Sequence, residues 1–231
     1  MKDLRYLSSP EFLKYSFLAL QNCFTSQNEF NAFFNAIIND DQKNLFLKTA
    51  TFYLFLVKKG DWLVDVPGSN KRIDYFADTY KYIALFSLVE SLHNLKFMDF
   101  YTYLIRRKSK VKFPIQDKAE LNQYYKNYKK EFGSIQQSIR FFQSLSRQRK
   151  ATLIQKLEVT NIEPTIENLS KYLYELRSKF VHEADLIVNM SGRTTISSRE
   201  KNQVVICKLS IEDLMRFFEE GLVEHFKTKT T

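Results

Sequence analysis

The stretch from 165 to 184, TIENLSKYLYELRSKFVHEA, decides the fold class of this 231-residue chain. Its apolar side chains recur at steps of three and four residues, the spacing that forms one face of an α-helix. They are Leu169, Tyr172, Leu173, Leu176 and Phe180. Thr165 follows Pro164 and can accept a hydrogen bond in the first turn. The stretch therefore predicts a long helix with one face buried against neighbouring helices.

The remainder of the chain also favours helices. Only 5 Gly and 4 Pro interrupt it, and 44% of its residues are hydrophobic, which is enough to bury a sizeable core. We therefore predict a mainly all-α fold, with the helices packed as a bundle. The segment 61–71, which contains Pro67-Gly68-Ser69-Asn70, is rich in turn residues. It is predicted to separate an N-terminal helical extension, 1–70, from a helical core, 71–231.

Helix starts and stops divide both parts further. In the extension, the sequence predicts helices from Pro10, over about 29–38 and over about 41–58. In the core, it predicts helices over about 73–95 with a continuation toward 105, over about 117–147 with a break near Gly133, over about 165–184 and over about 211–226. Two short β-branched runs, 186–188 and 204–207, predict a small β-hairpin or two separate strands before the last helix.

The net charge of +9 is unevenly distributed along the chain. Residues 101–150 contain 13 Lys/Arg and 3 Asp/Glu, so this segment carries the whole excess. Such a basic stripe is typical of proteins that bind a phosphate backbone. The residues predicted to bind RNA are Arg106, Arg107, Lys108, Lys110, Lys129 and Lys130.

Aromatic residues are interleaved with these cations. They are Tyr101, Tyr103, Tyr124, Tyr125, Tyr128, Phe141 and Phe142. Their rings can stack on unpaired bases. The alternative, that the rings pack against one another while the lysines are solvated, has equal weight at the level of sequence.

The residue types that hold metals and cofactors form no suitable pattern. His93, His182 and His225 are the only histidines, and neither the first nor the last shows ligand spacing with a carboxylate or a thiol. The sequence contains no Gly-rich phosphate loop and no Gly-x-Ser-x-Gly elbow. We therefore expect no metal and no cofactor.

The cysteines and the apolar segments indicate a compartment. Cys23 and Cys207 lie far apart in sequence and are expected to be reduced thiols. The first residues lack the apolar region of a signal peptide. The longest apolar candidate, 45–57, is too short to span a bilayer. A cytoplasmic protein without a membrane segment is the expectation.

Arg177 and His182 carry the two side-chain types that metal-free RNA cleavage requires. A guanidinium offers phosphate a fixed fork of donors, and histidine exchanges protons near neutral pH. RNA supplies its own nucleophile, the 2′-hydroxyl. A protein must then remove that proton, stabilise the phosphate charge and protonate the leaving 5′-oxygen. One histidine cannot easily serve as both base and acid in the same turnover.

Helix geometry separates these two side chains. Five residues of regular helix turn by roughly 500° and rise about 7.5 Å, so that His182 projects about 140° around the axis from Arg177. The side chains converge within one subunit only if the helix ends or distorts near Val181. A two-fold dimer with adjacent helices would instead bring two arginines and two histidines into one cleft.

The segment 176–182, LRSKFVH, resembles the signature of the HEPN superfamily: an arginine, a polar residue, a short apolar-rich gap and a histidine. Within that superfamily, these residues are most similar to the corresponding residues of the ApeA-like subgroup. Residues 82–92 resemble that subgroup's first core helix, with Glu90 as the acidic residue in an apolar run, and 209–218 resemble its closing helix. The likeness covers about residues 73–228. Many members have Asn, Asp or His after the arginine, whereas this chain has Ser178, which cannot titrate near pH 7.

The resemblance implies a HEPN-like bundle that acts as a homodimeric, metal-independent endoribonuclease. It implies catalytic roles for Arg177 and His182, with Ser178 and Glu90 in support. It also implies a setting as a toxin or in phage defence, with an antitoxin or regulatory protein as partner. Since an unpaired buried carboxylate is costly, Glu90 must pair with Arg177 or another cation, or lie at an exposed edge.

Two other interpretations remain open from the sequence. One is a non-catalytic HEPN module that binds nucleic acid, a nucleotide or a protein partner, with Arg177 and His182 kept for structure. Ser178, which cannot titrate near pH 7, favours this module. The other is a helical interaction protein in which the motif occurs by chance.

Overall fold

The structure is a computed structural model that describes residues 4–63, 65–68, 74–92, 99–106, 111, 113–185, 188–199 and 203–227. Most of these residues lie in ten helices: α1 (Pro10–Leu20), α2 (Gln27–Ala36), α3 (Asp40–Tyr53), α4 (Asp74–Ser91), α5 (Phe100–Arg106), α6 (Lys118–Phe132), α7 (Ser134–Gln143), α8 (Arg147–Lys156), α9 (Ile166–Glu183) and α10 (Ile211–Lys227). Three short strands accompany them: β1 (Leu157–Val159), β2 (Thr195–Arg199) and β3 (Gln203–Cys207). The predicted all-α class is confirmed. None of the described helices is both long and apolar enough to cross a membrane.

Local capping signals fix the starts of the two best-predicted helices. The Thr165 hydroxyl accepts a hydrogen bond from the Asn168 amide at 3.2 Å, and α9 begins at the next residue. At α10, the Asp213 amide donates to the Ser210 hydroxyl and the Ser210 amide donates to the Asp213 carboxylate, at 3.1 and 3.0 Å. This reciprocal capping box satisfies two amides that the helix itself leaves unpaired. Both predicted helices are therefore confirmed.

The predicted helix 117–147 is two helices, because the chain turns sharply at Gly133 between α6 and α7. A Cβ atom at Gly133 would lie 2.3 Å from the Lys129 carbonyl oxygen, so that only glycine fits this close approach. A further helix, α8, follows from Arg147 and was not predicted separately. The break foreseen near Gly133 is confirmed, and the single long helix is wrong.

Two other predicted helices also differ in the structure. The first core helix ends at Ser91, and α5 is a separate helix. The third helix of the extension changes after Tyr53 into a π-helical turn over Leu54–Lys58. The wider turn places Lys58 so that its ammonium group donates hydrogen bonds to the Ala19 carbonyl on α1 and to the Glu219 carboxylate on α10.

The strands form one antiparallel sheet in the order β1-β3-β2. β2 and β3 make the hairpin predicted before the last helix, but its first arm is Thr195–Arg199 rather than 186–188. Residues 186 and 187 lie outside the described residues, and Val188 is buried in the core instead of pairing in a strand. Ile196 is largely exposed, and Ser197 and Ser198 follow it, so β2 lacks the apolar alternation that identifies a half-buried strand.

Helices of the predicted extension share the hydrophobic core with the rest of the chain. The Phe46 ring on α3 contacts Phe226 on α10, with centroids 5.3 Å apart, and Tyr53 packs on Phe218 at 4.8 Å. Whether 1–70 is an independent unit stays a prediction.

A buried carboxylate strengthens the same junction. Glu219 of α10 accepts hydrogen bonds from the Tyr53 hydroxyl at 2.7 Å, from Lys58 at 2.8 Å and from the Asn22 amide at 3.2 Å. Three donors and one positive charge offset the cost of removing this carboxylate from water.

Helix α9 is held between α4, α7 and α8 by its apolar face. Leu169 and Leu173 are completely buried, and the Tyr82 hydroxyl of α4 donates a hydrogen bond to the Leu173 carbonyl. Helices α7 and α10 approach so closely that a Cβ at Gly221 would lie 2.3 Å from the Phe141 ring. This packing leaves the Arg177 edge of α9 beside α4, and the last turn of α9 at the surface.

Candidate functional site

Arg177 follows the buried Leu176 on α9 and points its guanidinium at α4. Its Nη2 atom lies 3.3 Å from Oε2 of Glu90, with which it forms a hydrogen-bonded ion pair. The two side chains are only 17% and 24% exposed. Of the alternatives open for Glu90, pairing with Arg177 is the one that the structure contains.

The pair leaves polar capacity unused. Arg177 Nε and Glu90 Oε1 are buried and have no hydrogen-bond partner among the described residues. A buried donor or acceptor without a partner costs about 1–3 kcal/mol. The pair is therefore under-satisfied in the free chain, and a ligand that reaches it gains by supplying partners.

Tyr174 adds a polar group one turn before Arg177. The guanidinium carbon lies 5.8 Å from the centroid of its ring. Burial raises the pKa of the Tyr174 hydroxyl, with the charge of Glu90 acting in the same sense and Ser134 and Arg177 opposing it. The hydroxyl therefore stays protonated at neutral pH and can donate a hydrogen bond, but it cannot act as a base.

His182 occupies the last turn of the same helix and is exposed. No hydrogen bond or ion pair joins it to another residue in the described part of the chain. Helix α9 is continuous to Glu183 and ends at Ala184, whose φ of 55° is left-handed. The helix does not end or distort before His182, so the angle of about 140° from Arg177 applies. The structure thus joins Arg177 to Glu90, but it directs His182 elsewhere.

Ser178 is half-buried beside Arg177. Its hydroxyl forms no hydrogen bond with a described residue. The hydroxyl is thus free to bind a ligand, as the predicted supporting role requires, but it makes no hydrogen bond to Arg177.

An exposed apolar patch adjoins the last turn of α9. It is formed by Trp62, Tyr80 and the half-buried Phe180; the exposed Phe76 precedes Tyr80 by one turn of α4, and the exposed Val181 follows Phe180. Trp62 stacks on Tyr80 with ring centroids 4.6 Å apart, and Tyr80 meets the Phe180 edge at 6.2 Å. Exposed patches of this kind are typical of interaction surfaces.

A groove runs between α6, the start of α7 and α9. It encloses about 1070 Å³, and Glu90 and Tyr174 lie in its wall. The basic residues that line it are Lys126, Lys129, Lys130 and Lys171. Lys129 and Lys130 were predicted to bind RNA, and they share this groove with the partner of Arg177.

The other predicted RNA-binding residues have different outcomes. Arg106 is exposed at the end of α5 and does not line the groove. Arg107, Lys108 and Lys110 lie outside the described residues. The stripe is therefore only partly described by the structure.

Some aromatic residues of the basic segment pack internally. Phe141 and Phe142 are buried in the core, so the interpretation that they stack on bases is wrong. Tyr103 and Tyr128 belong to a cluster that joins α5 to α6. Tyr101 and Tyr125 remain exposed, and Lys129 lies 4.5 Å over the Tyr125 ring.

Metal-ligating and nucleophilic residues are scattered in the structure. Within the described ranges, no group of three or more His, Cys, Asp or Glu residues is placed to bind a metal ion. His93 is outside those ranges, and the His225 ring contacts Phe226. Cys23 and Cys207 are free thiols. Burial, reinforced by Glu219, raises the pKa of Cys23 to about 12, which makes it a poor nucleophile at neutral pH.

Sequence reasoning missed several residues of the groove: Lys126, Ser134, Gln137, Lys171 and Tyr174. The break at Gly133 was a signal that α7 starts there. No sequence signal shows that this start faces α9, because the facing depends on how the helices pack.

No family model, curated protein or solved structure matches this chain significantly. The resemblance to the HEPN superfamily therefore rests on the sequence of residues 82–92, 176–182 and 209–218 alone.

Proposed function

We propose that the protein is a HEPN-type, metal-independent endoribonuclease that cleaves RNA by attack of the 2′-hydroxyl. The observation that supports this most is that Glu90, the partner of Arg177, lies in the wall of a lysine-lined groove. Lysines attract the phosphate backbone, and the under-satisfied guanidinium beside Glu90 can bind the reacting phosphate.

Arg177 stabilises the charge that develops on the phosphate. A guanidinium carries five N–H donors, so contact with Glu90 leaves others for phosphate oxygens. Glu90 holds the guanidinium in place, and the free Ser178 hydroxyl donates to a phosphate oxygen. His182 transfers protons, as base toward the 2′-hydroxyl or as acid toward the 5′-oxygen.

A homodimer supplies the second proton-transfer group. Within one chain His182 projects away from Arg177, and one histidine serves only one of the two proton transfers. The exposed patch next to His182 is an apolar surface on which a second copy can pack. Two α9 helices at the two-fold axis then place both histidines and both arginines in one cleft.

One observation favours the alternative, a non-catalytic HEPN module that binds nucleic acid, a nucleotide or a protein partner. The ion pair with Glu90 gives Arg177 a structural role that needs no substrate. The toxin or phage-defence setting, and an antitoxin or regulatory partner, rest on the resemblance alone.

The test is cleavage of single-stranded RNA by the purified protein and two variants. His182→Ala and Arg177→Ala should each lose about 10²- to 10⁴-fold in rate, since general acid–base catalysis and charge stabilisation are worth that much. The matched control, His225→Ala, removes a histidine outside the site and should retain the rate. Circular dichroism and light scattering must show all variants folded and in the same oligomeric state.

Two results separate the candidates. Full activity in His182→Ala contradicts the ribonuclease mechanism. RNA binding by the wild type without any cleavage supports the binding module instead.

A further inference from the structure

The start of α7 opens into the groove without a side-chain cap. Gly133 precedes this ten-residue helix and has no side chain to offer, and the amides of Ser134 and Ile135 donate to no acceptor within the described residues. Both residues line the groove. Unpaired amides and the positive end of the helix dipole together favour an anion at this position.

Gln137, one turn into α7, is an independent indication of a ligand. The residue is only 7% exposed, yet it lines the groove. Its side-chain amide forms no hydrogen bond with any described residue. Its polar atoms are not among the fully buried unpaired atoms, so the amide keeps access to the groove while the rest of the residue is enclosed. An amide held at the groove wall without a partner is therefore available to a ligand.

The charges that line the groove favour an anion as well. Three lysines of α6, Lys126, Lys129 and Lys130, project into it. Of the acidic residues in its wall, Glu90 is paired with Arg177, and Glu175 lies 3.8 Å from Lys171. Glu167 is the remaining carboxylate, so the three α6 lysines outweigh it.

We propose that the start of α7 is a phosphate-binding subsite that holds a backbone phosphate of single-stranded RNA. The Ser134 and Ile135 amides and the Gln137 side chain donate to the phosphate oxygens, and the α6 lysines neutralise its charge. The assignment to RNA rests on the proposed function. The same groove reaches from the start of α7 to Glu90, so an RNA strand bound at α7 passes toward the partner of Glu90, Arg177.

The size of the groove agrees with a strand rather than one small molecule. Its volume of about 1070 Å³ lies just above the ~300–1,000 Å³ range of small-ligand pockets. One phosphate at α7 occupies a fraction of this space, which leaves room for the neighbouring nucleotides toward Tyr174.

The experiment measures binding separately from cleavage. The full-length protein is titrated with a fully 2′-O-methylated single-stranded oligonucleotide, which lacks the nucleophile and cannot be cleaved. Amide NMR signals of Ser134, Ile135 and the Gln137 side chain should shift at saturation. Gln137→Glu should weaken binding about tenfold or more, because a carboxylate replaces a donor to a charged group.

A surface variant guards against loss of folding in Gln137→Glu. Lys129→Gln/Lys130→Gln changes only exposed side chains and should lower the slope of log affinity against log salt by about 1.4, at ~0.7 per single-strand phosphate contact. Lys14→Gln, an exposed lysine on α1, is the matched control and should bind as the wild type does.

The proposal is overturned if the α7 amides do not shift and the lysine pair binds normally. It is also overturned as an RNA subsite if adenosine monophosphate binds there as tightly as the oligonucleotide does. Shifts at α7 in a protein that never cleaves RNA would support the subsite and contradict only the ribonuclease.

Discussion

Glu90 lies in an apolar stretch of α4 and keeps its carboxylate there through one guanidinium. Its partner Arg177 is 87 residues later in sequence. The motif and the apolar run predicted that Glu90 either pairs with a cation or lies at an exposed edge, because an unpaired buried charge is costly. They left several partners open. The choice of Arg177 depends on α4 and α9 packing side by side, which no local pattern specifies.

Removing either partner of this pair should destabilise the protein by about 2 kcal/mol, since the other charge is left mostly buried. In Arg177→Met and Glu90→Gln the single losses should add to more than the loss in the double variant, by about 1 kcal/mol. Urea unfolding of all three proteins measures this coupling. The exposed pair Lys171–Glu175 is the control and should couple by no more than about 0.5 kcal/mol. Additive losses at Arg177 and Glu90 would show that the pair is not formed.

Asp78 on α4 is a half-buried carboxyl in an acidic environment. Burial raises its pKa from 3.8 to about 6, Glu212 and Asp74 add to this, and Lys81 opposes it. A raised pKa means that the folded chain binds the proton more tightly than the unfolded chain does. The ionised form therefore destabilises the fold above about pH 6, and this cost disappears below about pH 4.

Asp78→Asn should accordingly stabilise the protein at pH 7.5 and not at pH 4. Because the carboxyl is only half-buried, the gain is discounted to about 1 kcal/mol, or roughly 2–4 °C in Tm. Thermal unfolding at both pH values measures it, with the exposed Glu158→Gln as control. An equal gain in stability at both pH values would show that ionisation of Asp78 is not its cause.

At the scale of helices and strands, elements with their own stop and start signals could be predicted from sequence. Thr165 and the Ser210–Asp213 box fix α9 and α10 locally. The hairpin arm β2 could not be predicted, because its polar residues are held by pairing with β3 rather than by burial. The position of Gln137 in the groove wall could not be predicted either, because it depends on how α7 packs against α9.

The contact between α7 and α10 gives an element-scale prediction. Gly221→Ala places a methyl group against the Phe141 ring and should cost about 1–3 kcal/mol, as overpacking does. The same substitution should cost less in a Phe141→Leu background, where the ring is absent. Denaturant unfolding of the four proteins measures both costs. An equal cost in the two backgrounds would show that the helices are not in contact there.

For the whole molecule, the sequence predicted a mainly helical bundle and most of its helices. The division at about residue 70 is less apparent in the packing, since Phe46, Tyr53 and Lys58 all contact α10. The candidate site spans elements far apart in sequence: α4 and α9 meet at the ion pair, and α6 and α7 form the groove. The motif identified Arg177 and His182 as the candidate reactive side chains. Under the proposed function, their separation on one helix requires a second copy of the chain.

The chemical identity of the cleaved ends tests the central claim most directly. The purified protein is incubated with single-stranded RNA in excess EDTA, and the product ends are determined by mass spectrometry. Attack by the 2′-hydroxyl predicts a 2′,3′-cyclic phosphate or its opened product and a 5′-hydroxyl, and no cleavage where the scissile nucleotide is 2′-deoxy. Products with 3′-hydroxyl and 5′-phosphate ends, or activity that EDTA abolishes and a divalent metal restores, would contradict it.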